Sequence, residues 1–229
     1  ASKRVYPIAS TENNHMISVQ QRPKLHESFG MNYAAKTIKN FINKSEIDID
    51  AYDLYSCFPS AIRMFKDSLE IDDDKPLTVT GSMPFAGGPL NSYVLHSSVE
   101  MIERIRTNKI SYGLVTGVSG MMTKQSFCVW GKEYKEGFMH SDVTKKVQSE
   151  ELPLNLSSKL DGEGKIVGYT FFESKDQNLI AVLYLEDDDN HRKVVTSNEL
   201  DFIDLLKDQE WVGKRINFRK NKVVSWWNL

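Results

Sequence analysis

The 229-residue chain is 40% hydrophobic and 26% charged, the balance of an ordinary globular protein rather than a disordered or fibrous one. Its formal net charge of −2 supplies no field to draw it onto nucleic acid or an anionic membrane. No apolar run reaches the ~20 residues that span a bilayer.

Two cysteines, Cys57 and Cys128, are too few for a secreted disulfide scaffold and point to the cytoplasm, with both as thiols. The opening Ala-Ser-Lys-Arg-Val-Tyr-Pro lacks a charged-then-apolar signal design and a leading methionine, as expected of a processed or partial polypeptide. The length allows one large domain or one medium and one small domain.

In chain order, Arg4 to Ala9 reads as a strand ended by the polar cluster Ser10-Thr11-Glu12-Asn13-Asn14. Met31, Ala34, Ala35, Ile38 and Ile42 recur at helical spacing, with Lys36, Lys39 and Lys44 outward. Tyr52 to Ser56 reads as a strand, and Phe58, Ala61, Ile62, Phe65 and Leu69 mark a second helix with Pro59 in its first turn. The β-branched run Pro76 to Thr80 predicts another strand before the glycine-bearing loop Gly81 to Pro89. Asn91 or Ser92 caps a third helix expected to turn Leu95, Val99, Ile102 and Ile105 inward. Tyr112 to Val118 and Gln125 to Trp130 then predict an antiparallel edge pair beside a mostly parallel sheet.

From Gly131 to Leu156 the periodicity fades, which predicts a linker. Residues 165–173, 178–187 and 191–197 read as strands, Glu199 to Asp208 as a helix, and Lys214 to Arg219 and Lys222 to Trp226 as two more strands. Three strands, a helix and two strands is the order of a five-stranded OB-like barrel. The expected division is residues 1–135, a linker over 136–156 and a barrel domain over 157–229.

Three ordered segments carry a family resemblance. They are Asp53-Leu54-Tyr55-Ser56-Cys57-Phe58-Pro59-Ser60, Leu77 to Pro89 with its Gly87-Gly88-Pro89, and Gly113 to Gly120. Together they resemble the C-terminal half of thiolases, most of all the acetyl-CoA acetyltransferase-like group that adds an OB-like C-terminal domain. The resemblance implies an α/β fold: a thiolase-type C-terminal half, with a mixed five-stranded sheet and covering helices, followed by a small OB-like β-barrel. It also implies acyl transfer between coenzyme A thioesters, at a site shared with an N-terminal half that carries the nucleophilic cysteine and is not in this sequence.

Against the family motifs the chain departs at each chemical position. Tyr55 stands where the first motif has Asn or His. Gly88 stands where Gly-His-Pro has the imidazole that activates the nucleophile and binds the thioester oxygen. Val118 stands where Cys-x-Gly has the acid/base. The resemblance therefore implies no retained catalytic residue. It implies an acyl-CoA site lined by Tyr55, Ser56, Cys57, Phe58, Gly87, Gly88, Pro89, Ser119 and Gly120. A coenzyme A thioester is the implied ligand, with no bound cofactor, and the implied partner is an N-terminal half in cis or in trans, within a homo- or hetero-oligomer. The alternative is a non-catalytic protein-interaction module that uses the OB-like domain.

Substitute groups are weak candidates. A lone cysteine such as Cys57 beside Phe58 is usually a small buried hydrophobe. His96 has no nearby carboxylate to orient it, and His15, His26, His140 and His191 lack metal-ligand spacing. In the last domain, Lys214, Arg215, Arg219, Lys220 and Lys222 with Trp211, Trp226 and Trp227 resemble a single-strand binder. Asp187-Asp188-Asp189 and the acids of the 199–208 helix oppose that charge, so neither nucleic-acid binding nor a metal site is expected.

Overall fold

The computed structural model describes residues 3–132 and 137–225, so the sequence readings for Trp226 and Trp227 lie outside the described residues. The chain divides into two compact units, Ala1–Met16 with His26–Glu151 and Ile17–Leu25 with Leu152–Leu229. The division falls at residue 151 rather than across 136–156, and a short early segment belongs to the second unit.

The first unit is α/β. Its elements are β1 (Tyr6–Asn13), α1 (Phe29–Lys44), β2 (Ala51–Asp53), α2 (Pro59–Leu69), α3 (Met83–Ala86), α4 (Tyr93–Arg106), β3 (Tyr112–Ser119), β4 (Met121–Gly131), β5 (Met139–Asp142) and α5 (Thr144–Glu150). The strands form one mixed sheet in the order β2-β3-β4-β1-β5. β2 runs parallel to β3 and β5 parallel to β1, while β4 is antiparallel to both β3 and β1. The β3–β4 pair is therefore antiparallel as expected but central, because β1 returns to flank β4.

One core joins Met31, Ala34, Ala35 and Ile38 of α1 and Phe65 of α2 to Leu114, Phe127 and Val129 of the sheet. The three- and four-residue spacing read from α1 is the spacing of its buried face. A smaller cluster sets Met101 and Ile105 of α4 against Val115. Gly113 lacks a side chain where the Met101 thioether crosses the strand.

Four local expectations change. β1 continues through the polar cluster to Asn13 because its polar side chains find partners inside: Thr11 Oγ1 donates to the Ala34 carbonyl at 3.0 Å and Asn13 Nδ2 to the Thr123 carbonyl at 2.7 Å. Residues 76–80 form no strand; their backbone and hydroxyl groups wrap a carboxylate instead. α4 buries Tyr93, Ser97, Met101 and Ile105, and leaves Leu95 and Val99 66% and 61% exposed. Residues 139–150, read as linker, form β5 and α5. β5 pairs through its backbone with β1, and Val147 of α5 is buried in the first core.

The second unit contains β6 (Asp161–Glu173), β7 (Leu179–Glu186), β8 (Arg192–Ser197), α6 (Leu200–Asp208), β9 (Arg215–Arg219) and β10 (Lys222–Ser225). They close a five-stranded barrel in the order β10-β8-β7-β6-β9, with β10 parallel to β8 and antiparallel to β9. Ile166, Leu183, Leu185, Val195, Phe202, Leu206, Trp211 and Phe218 fill it. The early segment is strapped to this unit: Leu154 N–H donates to the Gln21 carbonyl at 2.9 Å, the short 3-10 turn Val19–Gln21 packs on β8, and Leu25 fills the space where Gly168 has no side chain. Among the described residues no helix is long and apolar enough to cross a membrane.

Candidate functional site

The site is organised by Asp53, a fully buried carboxylate at the end of β2. One oxygen accepts from Thr78 Oγ1 at 2.9 Å, Val79 N–H at 2.9 Å, Thr80 N–H at 3.1 Å and Thr80 Oγ1 at 3.0 Å. The other accepts from Tyr93 OH at 3.0 Å and Ser97 Oγ at 2.5 Å. A carboxylate withdrawn from water needs this many donors. The demand explains two of the surprises above. The β-branched run folds around Asp53 rather than pairing, and α4 turns its hydroxyl-bearing face inward at the expense of Leu95 and Val99.

The motif segments are held from this node. Tyr55 N–H donates to Thr116 Oγ1 at 2.8 Å, and Ser56 Oγ accepts from Met83 N–H at 2.8 Å, which fixes α3 against the strand end. Tyr55 meets Tyr93 edge to face at 5.5 Å. Between these anchors Gly81 has φ +85°, and Ser82 sits at φ 71°, ψ 173°, a conformation that favours glycine. At Gly88 a Cβ would stand 3.2 Å from Met83 Cγ and 3.3 Å from Tyr93 Cβ, so a histidine there requires Met83 to move.

Tyr55, Val118 and Ser119 line one cavity of about 260 Å³, together with Glu12, Asn14, Asn91, Val94, Gly117, Lys124, Gln125 and Ser126. Of the sequence-derived candidates, Ser56, Cys57, Phe58, Gly87, Gly88, Pro89 and Gly120 lie outside that lining. Ser56 braces α3, and Phe58 is 63% exposed. Glu12, Asn14, Asn91 and Lys124 were not singled out from sequence for this role. The one available signal was Lys124, a cation alternating with buried Thr123 and Gln125 on β4.

Neither substitute group enters the cavity. Cys57 is half-buried, and burial pushes its thiol up despite backbone hydrogen bonds that pull the other way. Burial carries Cys128 up to about 12. His96 lies on α4 beside a separate shallow groove of about 530 Å³ with Phe85, Leu95 and Val99. In that region Phe85 is 85% and Leu90 96% exposed.

In the second unit, the ligand atoms of Asp187, Asp189 and His191 lie within 4.8 Å of one another. Lys159 Nζ already sits 3.1 Å from both Asp187 and Asp189, so the charge there is balanced by an ammonium. Several of the barrel's cations are also engaged. Arg215 pairs with Glu163 and Asp188, Arg219 lies 3.8 Å from Asp161, and Lys214 lies over the Trp211 ring at 4.1 Å.

No family model matches the chain, and no curated protein matches it. Among solved structures it is similar to a monomeric SCP2-thiolase like protein type 1 from Mycobacterium smegmatis, at 24% identity and a TM-score of 0.83. The likeness covers 98% of this chain and 51% of that one, so the chain spans about half the length of its structural neighbour. The fold of the chain is thiolase-like.

Proposed function

We propose that the chain is the C-terminal portion of a thiolase-superfamily protein, related to the acetyl-CoA acetyltransferase-like group, whose Tyr55 cavity receives the acyl end of a coenzyme A thioester without cleaving it. The observation that carries this reading is the lining of the cavity. Two motif positions, Tyr55 and Val118, meet there among amide, hydroxyl and ammonium groups and the Glu12 carboxylate, with no imidazole and no thiol in the lining. Thiolysis needs an activated thiolate, donors for the thioester oxygen and an acid/base at the α-carbon. A positioned acid/base contributes typically ~10²–10⁴-fold and an oxyanion donor ~10²–10³-fold. With Gly88 and Val118 in those places, turnover falls below ready detection, while binding through the remaining polar groups persists.

The exposed Phe85, Leu90, Leu95 and Val99 support a partner surface along α3 and α4, since contiguous exposed apolar side chains mark interaction sites. We assign that surface to a thiolase-like N-terminal half. The neighbour is described as monomeric and is about twice as long, which supports a half supplied in cis over one supplied by a second subunit. The second unit is read as an OB-like barrel from its strand order and the helix between β8 and β9. The ion pairs of Arg215 and Arg219 support a role other than nucleic-acid binding. The two free thiols support a reducing compartment such as the cytoplasm.

The test is calorimetric titration of the full chain with acetyl-CoA and acetoacetyl-CoA, beside an acetoacetyl-CoA cleavage assay. Binding without cleavage is expected. Turnover at ~1 s⁻¹ or faster, ordinary for an enzyme, overturns the degenerate reading. Failure of the folded chain to bind any ester, with a stable protein partner captured on the barrel, favours an interaction module instead.

A further inference from the structure

β1 and β5 bring a second group of reactive side chains together. Thr11 and Asn13 of β1 turn toward α1, so Ser10 and Glu12 share the opposite face of the strand. In the parallel pairing with β5, Ser10 is the register partner of His140. His140 Nδ1 lies 2.8 Å from Ser10 Oγ, and its Nε2 lies 3.7 Å from Glu12 Oε1. The carboxylate favours the tautomer with the proton on Nε2, which leaves Nδ1 to accept from the Ser10 hydroxyl. Hydroxyl, imidazole and carboxylate then stand in the order that makes a serine nucleophilic. The His140 and Glu12 side chains are 48% and 39% exposed, so a reactant can reach them. Phe138, also exposed, stacks on the imidazole at an interplanar angle of 13° with ring centroids 6.3 Å apart.

We infer that Ser10 is the nucleophile of a further catalytic site, with His140 as its general base and Glu12 as the residue that positions His140, acting on small neutral esters of an acidic alcohol such as a phenol. Ser10 Oγ attacks the ester carbonyl carbon while His140 Nδ1 takes the hydroxyl proton. The C–O bond to the phenol breaks, the phenol leaves with that proton, and Ser10 carries the acyl group. Water, deprotonated by His140, then releases the carboxylic acid and restores Ser10. The surroundings set the substrate class. Glu12 and Asp142 are register partners across β1 and β5 and repel an anion, whereas the Phe138 ring offers contact to an aromatic group. β1 is paired on both sides, so its N–H groups are committed to the sheet and form no oxyanion hole. The lack of such a donor costs ~10²–10³-fold in rate, which restricts the site to esters with a good leaving group. Ser10 and His140 lie outside the lining of the Tyr55 cavity, and the activity does not depend on the coenzyme A reading.

The experiment treats the full chain with diisopropyl fluorophosphate, locates the modified residue by peptide mass spectrometry, and follows hydrolysis of p-nitrophenyl acetate. It is repeated with Ser10→Ala, His140→Ala, His140→Gln and Glu12→Gln, all checked for cooperative melting. Ser10 is expected to be the principal modified residue. Both His140 variants are expected to lose modification and hydrolysis by about 10²-fold or more, and Ser10→Ala to hydrolyse no faster than they do. Glu12→Gln is expected to lower kcat by less than the His140 variants and to leave KM unchanged, as a positioning residue should. Modification elsewhere than Ser10, modification or hydrolysis that survives in both His140 variants, or hydrolysis by Ser10→Ala at the wild-type rate overturns the assignment. Modification of Ser10 without ester turnover overturns it as well.

Discussion

Replacing Asp53 with alanine tests whether one buried carboxylate organises the site. Its six donors come from Thr78, Val79, Thr80, Tyr93 and Ser97, with Thr80 giving both its N–H and its hydroxyl. Some of them re-pair once the acceptor is gone. Thr78 Oγ1 lies 3.2 Å from Thr80 Oγ1, which lies 3.0 Å from Tyr93 OH, and Thr80 N–H also reaches Thr78 Oγ1 at 3.2 Å. Val79 N–H and the buried Ser97 hydroxyl are left stranded. At ~1–3 kcal/mol for each unsatisfied buried group, Asp53→Ala costs about 2–6 kcal/mol. Ser97→Ala removes one donor from an acceptor that keeps five, and costs about 1 kcal/mol. Urea denaturation followed by far-UV circular dichroism measures both; a midpoint shift of roughly 1–2 M is expected for Asp53→Ala, with an unchanged slope. An Asp53→Ala protein within about 1 kcal/mol of wild type, or no less stable than Ser97→Ala, would refute the reasoning.

Four further outcomes are expected. At neutral pH iodoacetamide should label Cys57 much more slowly than a free thiol, and Cys128 more slowly still, because burial raises both; rapid labelling of Cys57 would reveal an activated nucleophile. Ser82→Gly should stabilise the chain by about 1 kcal/mol, since the residue occupies a glycine-favouring conformation, and a lower melting temperature would show that the serine side chain outweighs the strain. Burial alone would raise the Asp187 carboxyl, but the His191 backbone N–H, Lys159 and Ser157 outweigh it and hold it below its usual value. A depressed folded value means that stability present above pH ~4 is lost as pH falls through it, so Asp187→Asn should melt lower at pH 7 and show a flatter acid dependence. Residues 157–229 alone should melt without cooperativity, whereas Ile17–Leu25 joined ahead of Leu152–Leu229 should restore it; equal melting of the two would remove any role for the strap.

What the sequence reveals depends on whether an element is stabilised by apolar burial or by polar pairing. α1 is legible because its buried residues repeat at helical spacing, and the barrel strands because Leu183, Leu185 and Val195 alternate with outward residues. The orientation of α4 is hidden because Tyr93 and Ser97 are drawn in by Asp53, an interaction across 40 and 44 positions that hydropathy does not register. β5 is hidden because its Met-His-Ser-Asp sequence carries no apolar alternation and is held by backbone pairing with β1 and by polar contacts of His140 with Ser10 and Glu12. The motif segments located the neighbourhood of the cavity, yet most of its polar lining comes from Glu12, Asn14, Asn91 and residues 124–126, which only the fold brings beside Tyr55. The reach of the motifs stops at the strand ends.

The strap has a consequence for biosynthesis. The chain passes between its two units three times, after Met16, after Leu25 and after Glu151. Residues 17–25 therefore leave the ribosome about 200 residues before the last barrel strand closes at Ser225, an interval of roughly 10–40 s at ~5–20 residues per second. Throughout that wait Ile17, buried in the finished protein, has no barrel to cover it. The interval is a window in which a chaperone can hold the nascent chain. After folding, a protease that cuts only between residues 151 and 152 releases no free barrel, because the strap still ties the older fragment to it.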